Sequence, residues 1–597
     1  MPRRKTSQPT PKPTVSRPWW NHAWLQAAAL IAMAIVVYLP ALRGGFIWDD
    51  RMYLTQGTLM RRPLWKLWVA PDAIDYLPLT YTLYWLQWRI WQDSAVAFHL
   101  VNVLLHGGAA VMLWRVLRRL QVRGAWMAAA IFAVHPVGAE SVAWIAEEKN
   151  TLSLLLAALA LLLYLDSDAR PRRYWMTVVT FALALFAKPA VIMFPVILLL
   201  LAWWKRGAIT RAEYLQTAPF FALSAIFAPV TIWYQKRSIG TEHIPLGGFA
   251  ERLAQVTKAA WFYVYKLLLP RDLMFFYPNW KHSGLDAFTV AGMVALIAVA
   301  AGLWRMRAPW GRGPLVALAC YWALLLPVLG MFDMAWMQFA PVADHYQYPA
   351  MIAAIALVVS AAMHLTHARP TPAEKMGHPK HARLAKLEQP TLAAAVIVVL
   401  GALTFMQAGH YRDEDTLWRA TLDRNPQAWA AWAGLGLTAS ERGDAAAAIA
   451  DLKRAAELNP HYSAVHNNLG AEYQKNGDVE RAIAEYDAAV RINPKLAAAQ
   501  YNLGVLLLRQ KRASQAEPHL ARAVELMPNS SPAEVKLGSA LLEQGKLETA
   551  EQHLARAARL DPASFEAHAY LAECLRKQGK PEQAFGEYQK AIALRGR

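Results

Sequence analysis

A period of 34 residues runs through the last third of the chain and constrains its fold more than any other feature. Proline, glycine and alanine each return 34 positions later. The members are Pro426, Pro460, Pro494, Pro528 and Pro562; Gly436, Gly470, Gly504 and Gly538, with Ala572 closing the series; and Ala448, Ala482, Ala516, Ala550 and Ala584. A fixed period of this length is typical of stacked repeats, in which each unit buries its apolar face against its neighbours.

The spacing within one period indicates a helical hairpin. Small residues fall where two helices touch, and proline falls where a helix must stop. A Leu-Gly pair, a mid-repeat alanine and a terminal proline at this period are the tetratricopeptide signature. We predict an α-solenoid of five repeats over residues 429–597, preceded by a connecting helix in 411–428. The repeats cover about 429–462, 463–496, 497–530, 531–564 and 565–597.

The first helices of such an array form a concave surface that binds partners. By repeat register, this surface includes Asn467, Asn468, Tyr501 and Asn502. Alternatively, Asn468 and Asn502 only join neighbouring helices. The sequence leaves both interpretations open, and we expect the array as a whole to bind a protein or peptide in either case.

Before about residue 410 the chain contains repeated apolar runs of the length that crosses a bilayer as a helix, about 20 residues. Hydrophobic residues make up 56% of the chain and charged residues 18%. We predict an all-α membrane domain over residues 23–410 with eleven spans. They lie at about 23–42, 96–118, 124–143, 150–165, 173–188, 189–204, 214–236, 286–304, 314–332, 345–364 and 390–410.

The charge distribution predicts the orientation. Residues 427–597 carry 21 Lys and Arg against 20 Asp and Glu, so almost all of the net charge of +19 lies in the membrane half. There it falls in short loops between spans, which is typical of cytoplasmic loops and argues against nucleic-acid binding. We predict that the basic segment 1–22 is cytoplasmic and that the repeats lie outside, in the periplasm of a bacterial inner membrane.

The stretch 252–270 decides this topology. Counted as a span, it would place Arg305 and the basic loop from residue 367 to 386 on the outer side. Counted as a surface or re-entrant helix, it leaves both inside, and its Lys258 and Lys266 among aromatic residues suit an interface helix. We choose the second reading, which gives large external loops at 43–95 and 237–285.

Polar residues recur at the predicted outer ends of the spans. Ionisable groups are costly in a membrane and mark functional positions. We expect all of them, except the deeper His106, to converge near one outer membrane level. They are Asp49, Asp50, Asn102, His106, His135, Glu140, Glu147, Glu148, Lys149, Lys188, Asp344 and His345.

Several motifs follow one another in a recognisable order. They are Phe46-Ile-Trp-Asp-Asp50, Pro78-Leu-Thr80, Phe98–His106, Phe132-Ala-Val-His-Pro136 with Glu140-Ser-Val-Ala-Trp144, Lys188-Pro189, Leu269-Pro-Arg-Asp-Leu273 with Tyr277-Pro278, and Ala343-Asp-His-Tyr346. This series, which spans nearly the whole chain, resembles the transmembrane and tetratricopeptide-repeat proteins. Those are O-mannosyltransferase-like members of the GT-C glycosyltransferase fold, with bacterial relatives.

The chain departs from the family pattern at two places. The relatives tend to have Arg-Lys where this chain has Glu148-Lys149, and Asp-Arg-Tyr where it has Asp344-His345-Tyr346. A lost cation at either place counts against donor-phosphate binding there.

The resemblance implies transfer of a sugar from a polyprenyl-phosphate carrier to a protein acceptor at the outer face. In the family the first external loop supplies an acidic residue, so we expect Asp49 to accept the proton of the acceptor hydroxyl. Asp50 is expected to position it, hold the acceptor or bind a metal, and the sequence leaves open whether a divalent cation takes part. The leaving lipid phosphate needs cations. The candidates are Lys188, Lys149, His135 and His345, supported by Glu140, His106, Asn102 and Asp344.

Each candidate has a structural alternative. The two aspartates could form a solvated loop edge, Lys188 could extend to the headgroups, and His135 could cap a kinked helix. Asn102 and His106 suit hydrogen bonds between helices better than ligand binding. The rival to an enzyme is a non-catalytic, membrane-anchored repeat scaffold for envelope protein assembly. A lipid transporter is disfavoured because the chain has no inverted-repeat halves.

Overall fold

The computed structural model describes residues 22–55, 59–69, 75–167, 170–239, 247–280, 284–308, 311–368 and 379–595. Within these ranges every regular element is a helix, and a tetratricopeptide solenoid follows the apolar helices, so the predicted fold class is confirmed. The predicted cytoplasmic segment up to residue 21 and the side chains of the basic loop from 366 to 390 lie outside the described part of the chain.

The first two thirds of the chain form a bundle of α-helices. Their bounds are α1 (Ala23–Val37), α2 (Leu64–Leu67), α3 (Pro78–Trp91), α4 (Ala95–Arg119), α5 (Ala125–Ala133), α6 (Ala139–Ala143), α7 (Glu148–Leu165), α8 (Pro171–Ala187), α9 (Phe194–Arg206), α10 (Arg211–Ile239), α11 (Phe249–Leu268), α12 (Ala287–Arg305), α13 (Gly313–Leu325), α14 (Asp344–Gln347), α15 (Met351–Ala368) and α16 (Pro379–Gly409). Proline at the first position of α3 and α8 starts these helices, because its missing N–H has no partner there anyway.

Several of these helices indicate an integral membrane protein. Among the described residues, six are long and apolar enough to cross a membrane: Ala95–Arg119, Ile145–Leu165, Pro189–Arg206, Arg211–Ile239, Ala287–Arg305 and Thr391–Gly409. Ala125–Ala133 and Pro136–Ala143 meet at 51° and would form a further, broken span. Three shorter apolar helices are Ala23–Val37, Gly313–Val328 and Met351–Leu365. All predicted spans except 173–188, which is helix α8, coincide with one of these, and the number eleven stays a prediction.

Helix α11 covers the stretch on which the predicted topology depends. It packs against the bundle through Ala254, Ala259 and Tyr263, which are buried. Near its end, Lys266 Nζ donates to the carbonyls of Arg271 at 2.6 Å and Asp272 at 3.1 Å. Its location at the membrane interface stays a prediction.

The last third of the chain is a row of helical hairpins. A connecting helix, α17 (Glu414–Leu422), leads into α18 (Trp429–Glu441), α19 (Ala445–Leu458), α20 (Ser463–Lys475), α21 (Val479–Ile492), α22 (Ala497–Arg509), α23 (Ala513–Leu526), α24 (Ser531–Glu543), α25 (Leu547–Leu560), α26 (Phe565–Lys577) and α27 (Pro581–Arg595). The periodic glycines lie where the two helices of a hairpin touch. A Cβ at Gly470 would lie 2.8 Å from Tyr486 Cδ1, and one at Gly504 would lie 2.6 Å from Leu520 Cγ.

The connecting helix and the first repeat share an apolar core with the bundle. Trp48, in the loop after α1, contacts Trp418 of the connecting helix with ring centroids 4.9 Å apart. Phe339 stacks on Trp429 of the first repeat at 5.6 Å. Asn425 Nδ2 donates to the carbonyl of Phe276 at 3.0 Å. The first repeat is therefore packed against the bundle beside the loop that carries Asp49.

Candidate functional site

The loop after α1 is fixed to the bundle by Asp50. The N–H of Ile47 donates to its Oδ2 at 3.0 Å, and the N–H of Ala146 donates to its Oδ1 at 2.6 Å. Burial raises the pKa of Asp50 well above its usual value, although both amides act to lower it. Because both oxygens are bonded and the side chain is fully buried, Asp50 is placed to hold the loop and its neighbour Asp49.

Asp49, by contrast, is only partly buried. Its pKa is raised to about 6, chiefly by burial; the ammonium of Lys149 opposes this rise, and the carboxylates of Glu147 and Asp75 add to it. A carboxyl with this pKa is largely ionised at neutral pH yet close enough to neutrality to exchange protons efficiently. Asp49 therefore has the accessibility and the acidity of a general base.

Trp48 has a strained backbone conformation next to Asp49. Its φ is +46°, in the left-handed region that residues other than glycine rarely adopt. The conformation is maintained from two directions. The Trp48 N–H donates to Glu414 Oε1 at 3.0 Å, and the indole contacts Phe275, Phe276, Phe339 and Trp418. Strain of this kind persists only where the surroundings over-determine it, and it clusters at functional sites.

Glu147 brings together the two lysines predicted from the sequence. Lys149 Nζ lies 2.9 Å from its Oε1, and Lys188 Nζ lies 3.0 Å from its Oε2. Asn150 also donates to this carboxylate. The Glu147 side chain is 2% exposed, against 10% for Lys149 and 17% for Lys188. The two ammonium groups thus share one carboxylate, and the three side chains together carry one net positive charge in a largely buried place.

Glu148 stands where the proteins that this sequence resembles tend to have arginine, and it does not join this cluster. Its carboxylate is fully buried and accepts from Gln87 Nε2, at 2.9 Å to Oε1 and 3.1 Å to Oε2. Glu148 therefore takes no part in pairing the Lys149 ammonium, which lies against Glu147.

His345 is bonded to Glu140 on a neighbouring helix. Its Nδ1 lies 2.9 Å from Glu140 Oε1, and its backbone N–H donates to Oε2 at 2.9 Å. The adjacent Asp344 accepts from the hydroxyl of Tyr277 at 2.9 and 3.0 Å, which joins two of the sequence motifs. The His345 ring lies 6.4 Å from the ring of Trp144, three positions before Glu147.

Three other predicted residues have structural partners away from this cluster. His135 Nδ1 accepts from the N–H of Val137 at 3.3 Å, and its Nε2 lies 3.0 Å from the carbonyl of Leu267. Asn102 Nδ2 donates to three carbonyls of residues 141–144, at 3.0 to 3.2 Å. His106 lies between the Tyr348 hydroxyl at 2.8 Å and the Ala133 carbonyl at 3.1 Å. All three are buried, and their contacts join helices or cap a turn.

The predicted residues of the concave surface form a short hydrogen-bonded ladder. Asn502 Nδ2 donates to Asn467 Oδ1 at 3.0 Å, across two repeats, and Asn467 Nδ2 donates to Asn468 Oδ1 at 3.3 Å. All of them, and Tyr501, remain partly exposed. The ladder joins helices and leaves polar surface for a partner, so both interpretations of these asparagines still hold.

Two site residues were not assigned a role from the sequence. Glu147 was named only as one of the outer polar groups, although an acid two positions before Lys149 is a signal that could have suggested their pairing. Asp75 has no motif around it; its Oδ1 accepts from Gln235 Nε2 at 2.9 Å, and it acts on the pKa of Asp49. Across the described ranges, no three His, Cys, Asp or Glu side chains come together as metal ligands.

Comparison with known proteins identifies the repeats of the last third of the chain. A tetratricopeptide-repeat family model matches residues 399–463, 467–531 and 535–596. Among solved structures, MamA from Desulfovibrio magneticus RS-1 is 23% identical, with a TM-score of 0.27 over 28% of this chain and 94% of that one. YrrB, described as a TPR protein with an unusual peptide-binding site, is 22% identical, with a TM-score of 0.29 over 30% of this chain and 91% of that one.

Sequence similarity also extends to curated proteins. Protein O-mannosyl-transferase Tmtc1 of Drosophila melanogaster is 34% identical over 152 residues, which cover 23% of this chain and 18% of that protein. Protein O-mannosyl-transferase TMTC4 of Homo sapiens is 28% identical over 161 residues, covering 22% of each. The match thus spans less than a quarter of these relatives. The chain carries a tetratricopeptide-repeat array and is similar, at low identity, to proteins named as TMTC protein O-mannosyl-transferases.

Proposed function

We propose that this chain is a membrane glycosyltransferase of the GT-C type. It transfers a sugar from a polyprenyl-phosphate carrier to a hydroxyl of a protein acceptor that the repeats recruit. The proposal rests on one observation above all: the loop of the partly exposed Asp49 is bonded through Asp50 to Ala146, next to Glu147 and its two lysines, and through Arg51 to Glu441 of the first repeat. The names of the similar proteins point to mannose as the sugar.

Asp49 would act on the acceptor. As the hydroxyl oxygen forms its bond to the anomeric carbon, its proton passes to the Asp49 carboxylate, and the bond between that carbon and the phosphate oxygen breaks. The lipid phosphate leaves with the bonding electrons. Asp50 acts through Asp49, because its two hydrogen bonds to backbone amides hold the loop in place.

The lysine cluster would receive the phosphate. Lys149 and Lys188 share the single carboxylate of Glu147, so the cluster offers a net positive charge to the developing phosphate anion. His345 Nδ1 is bonded to Glu140, which leaves Nε2 as the ring atom available to the phosphate. His135 has both ring nitrogens on backbone groups, so we assign it a capping role within this proposal.

The array would bring the acceptor to this site. Its first helices carry Asn467, Asn468, Tyr501 and Asn502 on the face that such arrays use for peptides. The ion pair between Arg51 and Glu441, at 2.6 Å, joins the first repeat to the Asp49 loop. We propose that site and array both face the periplasm of a bacterial inner membrane, with the N-terminus in the cytoplasm. Cysteine labelling that finds both ends of the chain in one compartment would contradict this orientation.

The direct test is transfer by purified protein from a synthetic polyprenyl-phosphate mannose to acceptor protein. Asp49→Asn is expected to reduce the rate by about 10²-fold or more, as for loss of a general base. Asp166→Asn is the matched control, because that carboxylate pairs with Arg119 and Arg173, at helix ends remote in sequence from the Asp49 loop. Unreduced transfer by Asp49→Asn would overturn the assignment of the base.

A second candidate function is a non-catalytic scaffold that assembles envelope proteins through its repeats. The observation in its favour is that Glu147 already pairs with both lysines, and that Glu148 stands where relatives tend to have a cation. Mass spectrometry of envelope proteins from a deletion strain separates the two functions. Lost hexose modification supports the enzyme, whereas unchanged glycans with lost protein complexes support the scaffold.

A further inference from the structure

A large cavity lies along the helices of the bundle rather than at the Asp49 site. It has a volume of about 900 Å³ and is enclosed by α4, α7, α9, α13 and α15. The wall of the cavity is apolar along most of its length, with side chains such as Leu117, Leu161, Phe194, Val316 and Ile352. This volume is within the range of pockets that hold ligands of several hundred daltons.

The polar residues of the cavity wall are concentrated at one end. They are Gln121, Arg123, Arg312 and His364, with Ser360 one turn deeper. This end lies beyond the C-terminus of α4, where Arg119 pairs with Asp166 at the end of α7. The Asp49 loop meets the opposite, N-terminal end of α7, since Asp50 is bonded to Ala146. The cavity therefore becomes basic at the membrane face away from the candidate catalytic site.

The two arginines at this end lack carboxylate partners among the residues that the structure describes. Arg123 Nη1 donates to His364 Nδ1 at 3.0 Å, and the Arg312 guanidinium lies 5.8 Å from the centre of the Trp203 ring. Some neighbouring basic residues at the same face have carboxylate partners, as Arg206 has Glu213 at 2.7 Å. Helix α13 also begins here at Gly313, and its first N–H groups favour an anion.

We propose that this cavity binds one anionic glycerophospholipid from the leaflet away from Asp49. An acyl chain occupies the apolar part, and the phosphate lies between Arg123 and Arg312. The charge pattern selects this occupant over the tail of a polyprenyl-phosphate donor. A donor with its phosphate on Lys149 and Lys188 would enter from the other end, where the wall is made of Leu154, Val191 and Pro349. The inference does not depend on the proposed transferase activity.

The test is native mass spectrometry of the delipidated full chain titrated with dioleoyl phosphatidylglycerol or dioleoyl phosphatidylcholine. We expect at least about tenfold tighter binding of the anionic lipid, because each basic residue near a headgroup adds favourable free energy. The double variant Arg123→Gln/Arg312→Gln is expected to lose this preference. Arg118→Gln, which removes an exposed arginine at the same end of α4 but outside the cavity wall, is expected to keep it.

A second variant tests the apolar part. Ala317→Phe adds a ring at the cavity wall and leaves both arginines in place, so binding of phosphatidylglycerol should fall about tenfold while the protein remains folded by circular dichroism. Equal binding of the two lipids would overturn the proposal, as would an equal loss in Arg118→Gln. An electron cryomicroscopy map in phosphatidylglycerol nanodiscs with the headgroup at the Asp49 end would also overturn it.

Discussion

The guanidinium of Arg51 lies 2.6 Å from the carboxylate of Glu441 and links the loop of Asp49 to the first repeat. The same guanidinium lies 3.2 Å from Glu414 in the connecting helix. Glu414 in turn accepts from the N–H of Trp48. We call the set of Arg51, Trp48, Glu414 and Glu441 the polar joint. It connects the Asp49 loop to the array, so we expect a movement of the array to displace Asp49.

Arg51→Gln is expected to loosen this joint with little effect on global stability. The Arg51 and Glu441 side chains are 32% and 53% exposed, so the pair contributes about 1 kcal/mol or less. We expect faster amide hydrogen exchange in residues 47–55 of the full chain, measured by mass spectrometry. Arg419→Gln is the control, because Arg419 pairs with Asp415 in its own helix at 2.7 Å. Equal exchange in Arg51→Gln and the wild type would show that the joint does not hold the loop.

The pKa of Asp49 predicts the acid limb of the pH profile. A base must be ionised to accept a proton, so with a pKa of about 6 the transfer rate should rise through about pH 6 and level off above it. Asp75 raises this pKa by its negative charge, and Asp75→Asn should therefore move the limb to lower pH. The measurement is initial rate against pH for both proteins. A limb that stays in place in Asp75→Asn would argue against Asp49 as the titrating group.

Removing the carboxylate of Glu147 should be costly. Two ammonium groups, at 2.9 and 3.0 Å, would lose their common partner in a largely buried place, and such losses cost about 3–5 kcal/mol. Glu147→Gln should therefore unfold at a clearly lower denaturant concentration in detergent. Glu213→Gln is the matched control, because its partner Arg206 is 55% exposed and can be solvated by water. Equal destabilisation by the two changes would contradict this account of the lysine cluster.

The fold was predictable where the signal was periodic. The 34-residue spacing predicted the hairpins because each proline, glycine and alanine has a local role in its repeat, as the close approach at Gly470 illustrates. Span positions followed from apolar length, and the bend of 51° between Ala133 and Pro136 lies where the sequence offered His135 as the cap of a kinked helix. The sequence could not predict the contacts around this bend, such as the hydrogen bond from Asn102 Nδ2 to the carbonyl of Ser141 at 3.1 Å, because they depend on tertiary packing.

The sequence selected the residues of the candidate site but not their pairing, and the roles of these residues stay predictions. Asp49, Lys149 and Lys188 were selected by motif and by their place at helix ends. That Lys149 and Lys188 would share Glu147 depends on the packing of α7 against the end of α8, which no local pattern encodes. Asp75 was missed for the same reason, because its effect on the pKa of Asp49 depends on the fold and not on a motif around it.

A row of histidine pairs in the array predicts a pH-dependent stability. Two positions 19 residues apart contact each other in four successive hairpins and repeat every 34 residues. The pairs are His466 with Glu485, Gln500 with His519, Glu534 with His553, and His568 with Glu587. Each pair holds the first helix of its hairpin to the second.

Among these four pairs, the pair of His466 and Glu485 is the one whose pH dependence we predict. Its Nδ1 lies 2.7 Å from Glu485, and its Nε2 lies 3.2 Å from the carbonyl of Pro460, so both nitrogens face acceptors. The hydrogen bond to Glu485 raises the pKa of His466 above the value of 6.5 expected in the unfolded chain. The pair should therefore stabilise the array fully below about pH 6.5, and this contribution should be lost as the pH rises through the pKa of the folded state.

His466→Gln should remove this dependence without disrupting the hairpin, because Gln500 occupies the equivalent position of the next repeat and donates to Pro494 at 3.1 Å. We expect the variant to be less stable than the wild type by up to about 1 kcal/mol at pH 5.5 and equally stable at pH 8.5. The measurement is urea unfolding of the full chain, followed by circular dichroism at both pH values. His461→Gln, at an exposed position, is the control. A deficit of the same size at both pH values would mean that His466 acts by packing rather than by its charge.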